Sequence, residues 1–483
     1  MKINNKIKEK INNSVVRIIA EDININWSIP YLLEEPSKGQ GTGFFINNKG
    51  FILTCSHVVN GSKNIFIEIP NISSKKYECD IISICPHFDI AIIRTKEYRS
   101  KDYLLLGDSD KLNVGDEVQV IGYPVSYKAT ANNINNLKYT IGAINGQQKG
   151  LIQTDSAINP GNSGGPLFCN NKVIGINSRK LVGESLENIG YAIPINNYKV
   201  IKNDIKQKII YRPTLLFNYD NTNETILKDL SNNKINHGVI VSKFLKPPND
   251  FCITNSMSSP NNNIHEDLIK KGSIITKIND IDIDNSGLVN CKWLGTRLDI
   301  NIFLNKFKNN DVIKLKYFKD NKIETVKIKL EPFKPPIRYI YPAFESVQYF
   351  VLGGIIFMNL CINHLSIIDN DKVDLLSIIL NKNEQLQSRL FVSFIFPNTK
   401  VNILNNIKKY DIICKVNDQL VNSVDQLKNV LNNPLIINNK EYIKIENNKE
   451  YSTLISVEDI IQQDLIFSNT YNYELNEFHK KYL

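Results

Sequence analysis

Between about residues 40 and 195 the chain is cut into short β-type runs, each closed by glycine, proline or asparagine, and no helical periodicity interrupts them. The runs include Gly43–Ile46, Phe51–Thr54, Ile65–Ile69, Ile90–Arg94, Glu117–Ile121, Leu151–Thr154 and Lys172–Ile176. Short strands at this spacing close into a sandwich or a barrel. Ahead of them, residues 1–20 read as a basic amphipathic helix running into a strand at Ser14–Ala20.

The second half repeats itself. The run Lys270–Asp280 (KKGSIITKIND) recurs as Lys408–Asp418 (KKYDIICKVND), which predicts two copies of one small domain. The proline-rich stretch Glu331–Pro336 reads as the linker between them, and an earlier boundary falls near Arg212-Pro213. A chain of 483 residues has room for about three domains. The expected division is an N-terminal segment 1–37, a β-rich domain 38–210, a first repeat domain 211–335, and a second repeat domain with a C-terminal tail, 336–483.

Composition narrows the function classes. The net charge of +9 is carried by scattered lysines, whereas a nucleic-acid site needs basic groups clustered on one surface. The eight cysteines form no Cys-x-x-Cys pair and no zinc-type spacing with histidine. They read as small buried apolar residues in a reducing compartment, with no metal and no other cofactor. The N-terminus lacks the apolar core of a secretory signal. The longest apolar run, Tyr349–Ile362, holds Gly353, Gly354 and Asn359 and is too short to cross a bilayer. A soluble, intracellular protein without a membrane span is expected.

Three stretches carry chemistry. In Asn159-Pro160-Gly161-Asn162-Ser163-Gly164-Gly165-Pro166 a serine is flanked by glycines. A serine hydroxyl attacks a carbonyl only when a base takes its proton and N–H donors receive the oxyanion. The flanking glycines allow the tight turn that would aim the amides of Gly161 and Ser163 at that oxyanion, with Asn162 between them. No Lys-Ser or Lys-Thr follows, so the loop is not a phosphate cradle. His57, after the apolar strand Phe51–Thr54, is placed to shuttle protons. Asp89, at the mouth of the apolar run Ile90–Ile93, needs a partner for a charge beside buried β structure, and a histidine N–H would supply it. The chain order His57, Asp89, Ser163 is that of the chymotrypsin-like triad, not the α/β-hydrolase or subtilisin order.

These residues lie in motifs that resemble the HtrA/Deg group of trypsin-like serine proteases: Gly41-Thr42-Gly43-Phe44, Leu53–Val59, Asp89–Ile92, Val120–Pro124, Thr154–Pro166, Val173–Asn177 and Asn188–Pro194, in family order. The layout most resembles plant-type Deg proteases with two PDZ-like domains. The resemblance implies a mainly β fold: a chymotrypsin-like double β-barrel followed by two PDZ-like α+β domains. It implies that His57 acts as general base and then acid, that Asp89 orients it, and that Ser163 forms an acyl-enzyme. It also implies that Ile176-Asn177-Ser178 takes extended polypeptide as an added strand. Ala157 stands where a trypsin-like enzyme would carry an acid, and Ile158 and Ile193 would make the pocket shallow and apolar. Cleavage after small or medium aliphatic residues is therefore expected, with Asp155 structural. Leu215-Leu216-Phe217 and Leu352-Gly353-Gly354-Ile355 are the candidate loops for capturing peptide termini in the PDZ-like domains. The family further implies a trimer-based homo-oligomer acting on unfolded or exposed polypeptide. The competing reading is a non-catalytic, PDZ-containing scaffold that keeps the protease fold.

Overall fold

A computed structural model of the chain describes residues 5–124, 137–178, 189–215, 217–244 and 269–483. Asn188 and Leu216 lie outside the described residues.

Two closed six-stranded barrels form the N-terminal half. In the first, Val15–Asp22, Lys38–Phe45, Phe51–Cys55, Ile90–Thr95, Ser73–Cys85 and Ser62–Ile69 follow one another around the ring. The second runs Lys138–Gln148, Leu151–Thr154, Gly190–Pro194, Lys172–Ser178, Pro166–Cys169 and Glu117–Gly122. All strand pairs are antiparallel, as short strands joined by tight turns require. Closure removes every free sheet edge from strands as apolar as Phe51–Cys55 and Ile90–Thr95. This is the chymotrypsin-like double barrel.

The N-terminal segment differs from the expected division. Of the expected N-terminal segment 1–37, residues 5–22 do not stand apart from the barrels, and residues 23–36 belong to another unit. The helix Asn5–Ser14 leads into Val15–Asp22, which pairs with Lys38–Phe45 on one side and Ser62–Ile69 on the other. A barrel with a missing stave would expose two edges, so this strand completes the ring. Residues 23–36 leave it where Asp22 N donates to Ser37 O at 2.9 Å.

The chain forms two compact units. One holds residues 1–22 and 37–333; the other holds residues 23–36 and 334–483. Within the first unit the first repeat folds as a six-stranded sheet, with the order Phe217–Asp220, Val239–Phe244, Ile274–Ile278, Val312–Lys319, Lys322–Lys329 and the short Ile281–Asp282 beside Ile274–Ile278. Its core is continuous with that of the second barrel: Val118, Leu167 and Ala192 share one apolar cluster with Phe217, Ile275 and Leu315. Trp293 Nε1 donates to Ser109 O at 2.9 Å across the same junction.

The second unit is an eight-stranded sheet built around Tyr349–Leu352, Ile355–Asn359, Leu390–Ile395, Ile412–Val416 and Lys440–Asn447, covered by the helix Val457–Tyr471. Residues 23–36 are part of it: Ser393 Oγ donates to Ser28 O at 2.9 Å, and Trp27 packs edge-on to His364.

The sequence repeat is a repeat of structure. Asn279-Asp280 and Asn417-Asp418 make the same left-handed two-residue turn (φ +48° and +65°; +49° and +62°), which asparagine and aspartate tolerate better than other non-glycine residues. In each copy the asparagine Oδ1 accepts a strand amide, from Lys314 at 2.8 Å or Lys444 at 3.0 Å. Gly272 and Tyr410, the point where the copies diverge in sequence, share a positive φ (+87° and +78°) and an N–H bond of 2.8 Å, to Val241 O and Val392 O respectively. No described helix is long and apolar enough to cross a membrane.

Candidate active site

Asp89 organises the first half of the site. It sits at φ +57°, and its 5% exposure leaves the carboxylate buried. The turn aims that carboxylate at the short helix Ser56–Val59. Oδ1 accepts the His57 backbone N–H at 3.0 Å, and Oδ2 meets His57 Nδ1 at 2.8 Å. Its carbonyl accepts Ser56 N–H at 3.0 Å. The carboxylate therefore caps the helix that carries the histidine and fixes its ring at the same time. The His57 side chain is 41% exposed, so its other nitrogen is left facing solvent.

Ser163 is held by its backbone. Thr42 Oγ1 donates to Gly161 O at 2.6 Å, and Thr42 N donates to Ser163 O at 2.9 Å. Asn162 O accepts Gly165 N–H at 3.0 Å, which turns the Ser163 N–H of the same peptide the opposite way. Gly164 adopts φ +87°, and a Cβ there would lie 2.1 Å from both Thr42 O and Thr54 Oγ1; only glycine fits. Among the described residues, the amides of Gly161 and Ser163 donate to no protein acceptor, and no hydrogen bond joins the Ser163 hydroxyl to His57.

The end of the strand Lys172–Ser178 ties the halves together. Asn177 O accepts from Gly164 N at 2.8 Å and from Cys55 Sγ at 3.2 Å, and Ser178 Oγ donates to Asp89 Oδ2 at 3.1 Å. His57, Asp89, Ser178 and the Ser163 loop thus share one hydrogen-bonded framework. Cys55, His57 and Asp89 also offer ligand atoms within 4.8 Å of one another. The carboxylate is already committed to His57 and Ser178, and the Cys55 thiol points at a carbonyl, so the set is an acid–base pair with a buried thiol behind it.

Two expectations about substrate contacts are corrected. Ile176 and Asn177 cannot accept an added strand. Ile176 pairs with Pro166 and Ile193, while Asn177 pairs with Ala192 and bonds Gly164 and Gly165 on its other side. With both backbone edges used, the free edge begins at Ser178. The side chains of Ile176 and Ile193 are packed in the core with Phe44, Leu53 and Phe168, because strand alternation turns them inward. Ala157 and Ile158 are half-buried, and a Cβ on Gly190 would lie 2.9 Å from Ile158 Cγ1, so the Gly190 backbone is a wall the sequence reading missed. It missed Thr42 as well. The signal for Thr42 was its place between Gly41 and Gly43 in a motif that also carries no charge.

A trypsin-like peptidase domain model matches residues 41–176. Over 418 residues the chain is 28% identical to "Putative protease Do-like 13" of Arabidopsis thaliana, covering 83% of this chain and 78% of that one. It is 35% identical over 188 residues to "Probable periplasmic serine endoprotease DegP-like" of Chlamydia pneumoniae, 36% of each chain. The chain is similar to HtrA/Deg-type serine proteases, and its residues 41–176 match a trypsin-like peptidase domain. The fold agrees with a solved structure of a variant of the HtrA-type protease AlgW with decapeptide. The TM-score is 0.51 at 18% identity, over 68% of this chain and 98% of that one. The matched part is about a third of the Chlamydia pneumoniae relative. The barrels carry His57, Asp89 and Ser163 in motifs that resemble those of the HtrA/Deg group.

Proposed function

We propose that the protein hydrolyses peptide bonds of unfolded or exposed polypeptide through His57, Asp89 and Ser163. The observation that carries this reading is the imidazole tethered through Nδ1 to a buried carboxylate at 2.8 Å while its ring stays 41% exposed. An Nδ1–H donated to Asp89 leaves Nε2 with a lone pair, as a general base requires. Substrate brings the reacting groups together: Nε2 takes the Ser163 hydroxyl proton as Oγ attacks the scissile carbonyl. The Gly161 and Ser163 amides receive the developing oxyanion. The imidazolium then gives its proton to the leaving amine, and water attacking the acyl-enzyme repeats the sequence. The unmade Ser163–His57 bond fits a substrate-free site, in which such bonds tighten on binding.

Ala157, Ile158 and the Gly190 backbone, which lie beside one another, bring no acid of their own to hold a basic side chain. This favours cleavage after small or medium aliphatic residues, with strand addition starting at Ser178. A non-catalytic scaffold gains nothing from keeping Asp89 in a left-handed turn, a conformation that costs of order 1–3 kcal/mol. Homo-oligomerisation, trimer-based, belongs to the same proposal and is read by light scattering of the purified chain.

Casein cleavage by wild type and Ser163→Ala is the deciding experiment. Cleavage should vanish in the folded alanine variant, and a fluorophosphonate should label Ser163 alone. Equal activity of the two chains would refute the assignment. Peptides varied at the cleaved residue should rank valine and alanine above arginine.

A further inference from the structure

The second unit presents the two parts of a peptide-terminus receptor, and both are occupied from within. Leu352-Gly353-Gly354-Ile355 is a two-residue hairpin turn with both glycines left-handed (φ +58° and +77°). Phe396 N–H donates to Gly354 O at 2.8 Å, which fixes the turn. Its two amides converge on one carboxylate: Gly353 N donates to Asp464 Oδ2 at 2.7 Å, and Gly354 N donates to Asp464 Oδ1 at 3.0 Å. Consecutive amides that grip both oxygens of one carboxylate form the kind of nest that captures a chain terminus.

Asp464 lies on the helix Val457–Tyr471 with 0% exposure. His479 Nε2 meets Oδ2 at 2.8 Å, and His479 Nδ1 accepts Asn476 N–H at 3.3 Å. Asn476 Nδ2 in turn donates to Val351 O at 2.7 Å. The strand that an incoming peptide would extend is also used on both sides. Ile355–Asn359 pairs with Tyr349–Leu352 along one edge and with Leu390–Ile395 along the other.

We infer that Asp464 is the built-in ligand of the Gly353–Gly354 carboxylate nest, so that the second PDZ-like domain is closed to peptide C-termini and the nest instead welds the C-terminal helices to the sheet. A nest built for a carboxylate should accept a free one when its own is removed. In the full chain, Asp464→Ala should lower the melting transition of the second unit by roughly 5–10 °C. Acetate should raise that transition again by several degrees over chloride at equal ionic strength. Acetate should leave wild type unmoved, and also Asp464→Asn, whose amide fills the space. An Asp464→Ala chain that melts like wild type, or one that folds and ignores acetate, overturns the inference.

Should the alanine chain fail to fold, Asp464→Asn carries the stability test, since its NH2 must face one glycine N–H: a lowered transition supports the nest and an unchanged one overturns it. Independently, a photo-crosslinking peptide ending in a free valine carboxylate, compared with its C-terminal amide, is mapped on the wild-type chain. We expect no carboxylate-dependent adduct on residues 349–359, and an adduct there overturns closure. No readout depends on Ser163 or on hydrolysis.

Discussion

Two aspartate–histidine pairs in this molecule are alike in their contacts and, under the proposed function, opposite in their use. Asp89 Oδ2 meets His57 Nδ1 at 2.8 Å, and Asp464 Oδ2 meets His479 Nε2 at 2.8 Å. Each aspartate is buried and also accepts backbone N–H groups, from His57 in one case and from Gly353 and Gly354 in the other. They differ in the second ring nitrogen. His57 is 41% exposed and leaves it without a protein partner among the described residues, whereas His479 is 1% exposed and spends it on Asn476 N–H. A carboxylate fixes an imidazole equally well for catalysis or for cohesion, and the fate of the other nitrogen decides which. A third histidine shows the pair's absence. His364 is buried with Nδ1 on Cys361 N–H at 3.1 Å and no carboxylate on its ring among the described residues. Desolvation drives its pKa down to about 3, with the Cys361 hydrogen bond only partly opposing that.

The comparison breaks most visibly at the two aspartates. Asp89→Asn removes the acceptor that holds the His57 tautomer and should cut kcat/KM for a peptide substrate by about 10⁴-fold. Asp464→Asn should leave kcat/KM within about two-fold while lowering the melting transition. Equal losses of activity in both chains would show that the two pairs do not differ as described.

Next come the histidines. His479→Ala leaves a buried carboxylate without its partner and should destabilise the second unit by about 3 kcal/mol, measured by denaturant unfolding. His57→Ala, at an exposed ring, should change stability by less than about 1 kcal/mol while abolishing hydrolysis.

The third prediction concerns pH. His364 binds its proton far less readily folded than unfolded, because burial opposes the charge. Below the unfolded value of 6.5 the unfolded chain gains a proton that the folded chain refuses, so stability falls with acidification and is restored above it. From pH 6.5 to pH 5 the loss should be about 2 kcal/mol. A His364→Leu chain should lack that part of the slope.

The smallest effect is expected at Ser178. Ser178→Ala removes one hydrogen bond of 3.1 Å to Asp89 and should lower kcat by about three- to ten-fold without moving the melting temperature.

Much of the site was legible because its residues sit in local motifs whose chemistry is tied to their neighbours. Ser163 is readable from Gly161, Gly164 and Gly165, since the turn needs those residues at those places. The repeat around Asn279-Asp280 and Asn417-Asp418 was legible for the same reason. Tyr410 stands where the first copy has Gly272, yet the backbone keeps its positive φ, and the Tyr410 hydroxyl donates to Ile367 O. Less legible were contacts between distant segments. Nothing local in Val15–Asp22 says that it closes a barrel between Lys38–Phe45 and Ser62–Ile69. Ile176 and Ile193 are apolar in either a pocket or a core, and only strand register separates the two.

Residue type and short-range order by themselves determined which groups were present to do chemistry: a hydroxyl among glycines, an imidazole after a strand, a carboxylate at a turn, and a glycine pair able to bare two amides. Tertiary structure alone decided what each group faces. It left the ring of His57 open and sealed that of His479. It also filled the Gly353–Gly354 nest with Asp464, from a helix more than a hundred residues along the chain. Exposure and partnership are properties of packing between segments far apart in sequence, and hydrogen-bond competition is settled only once those segments meet.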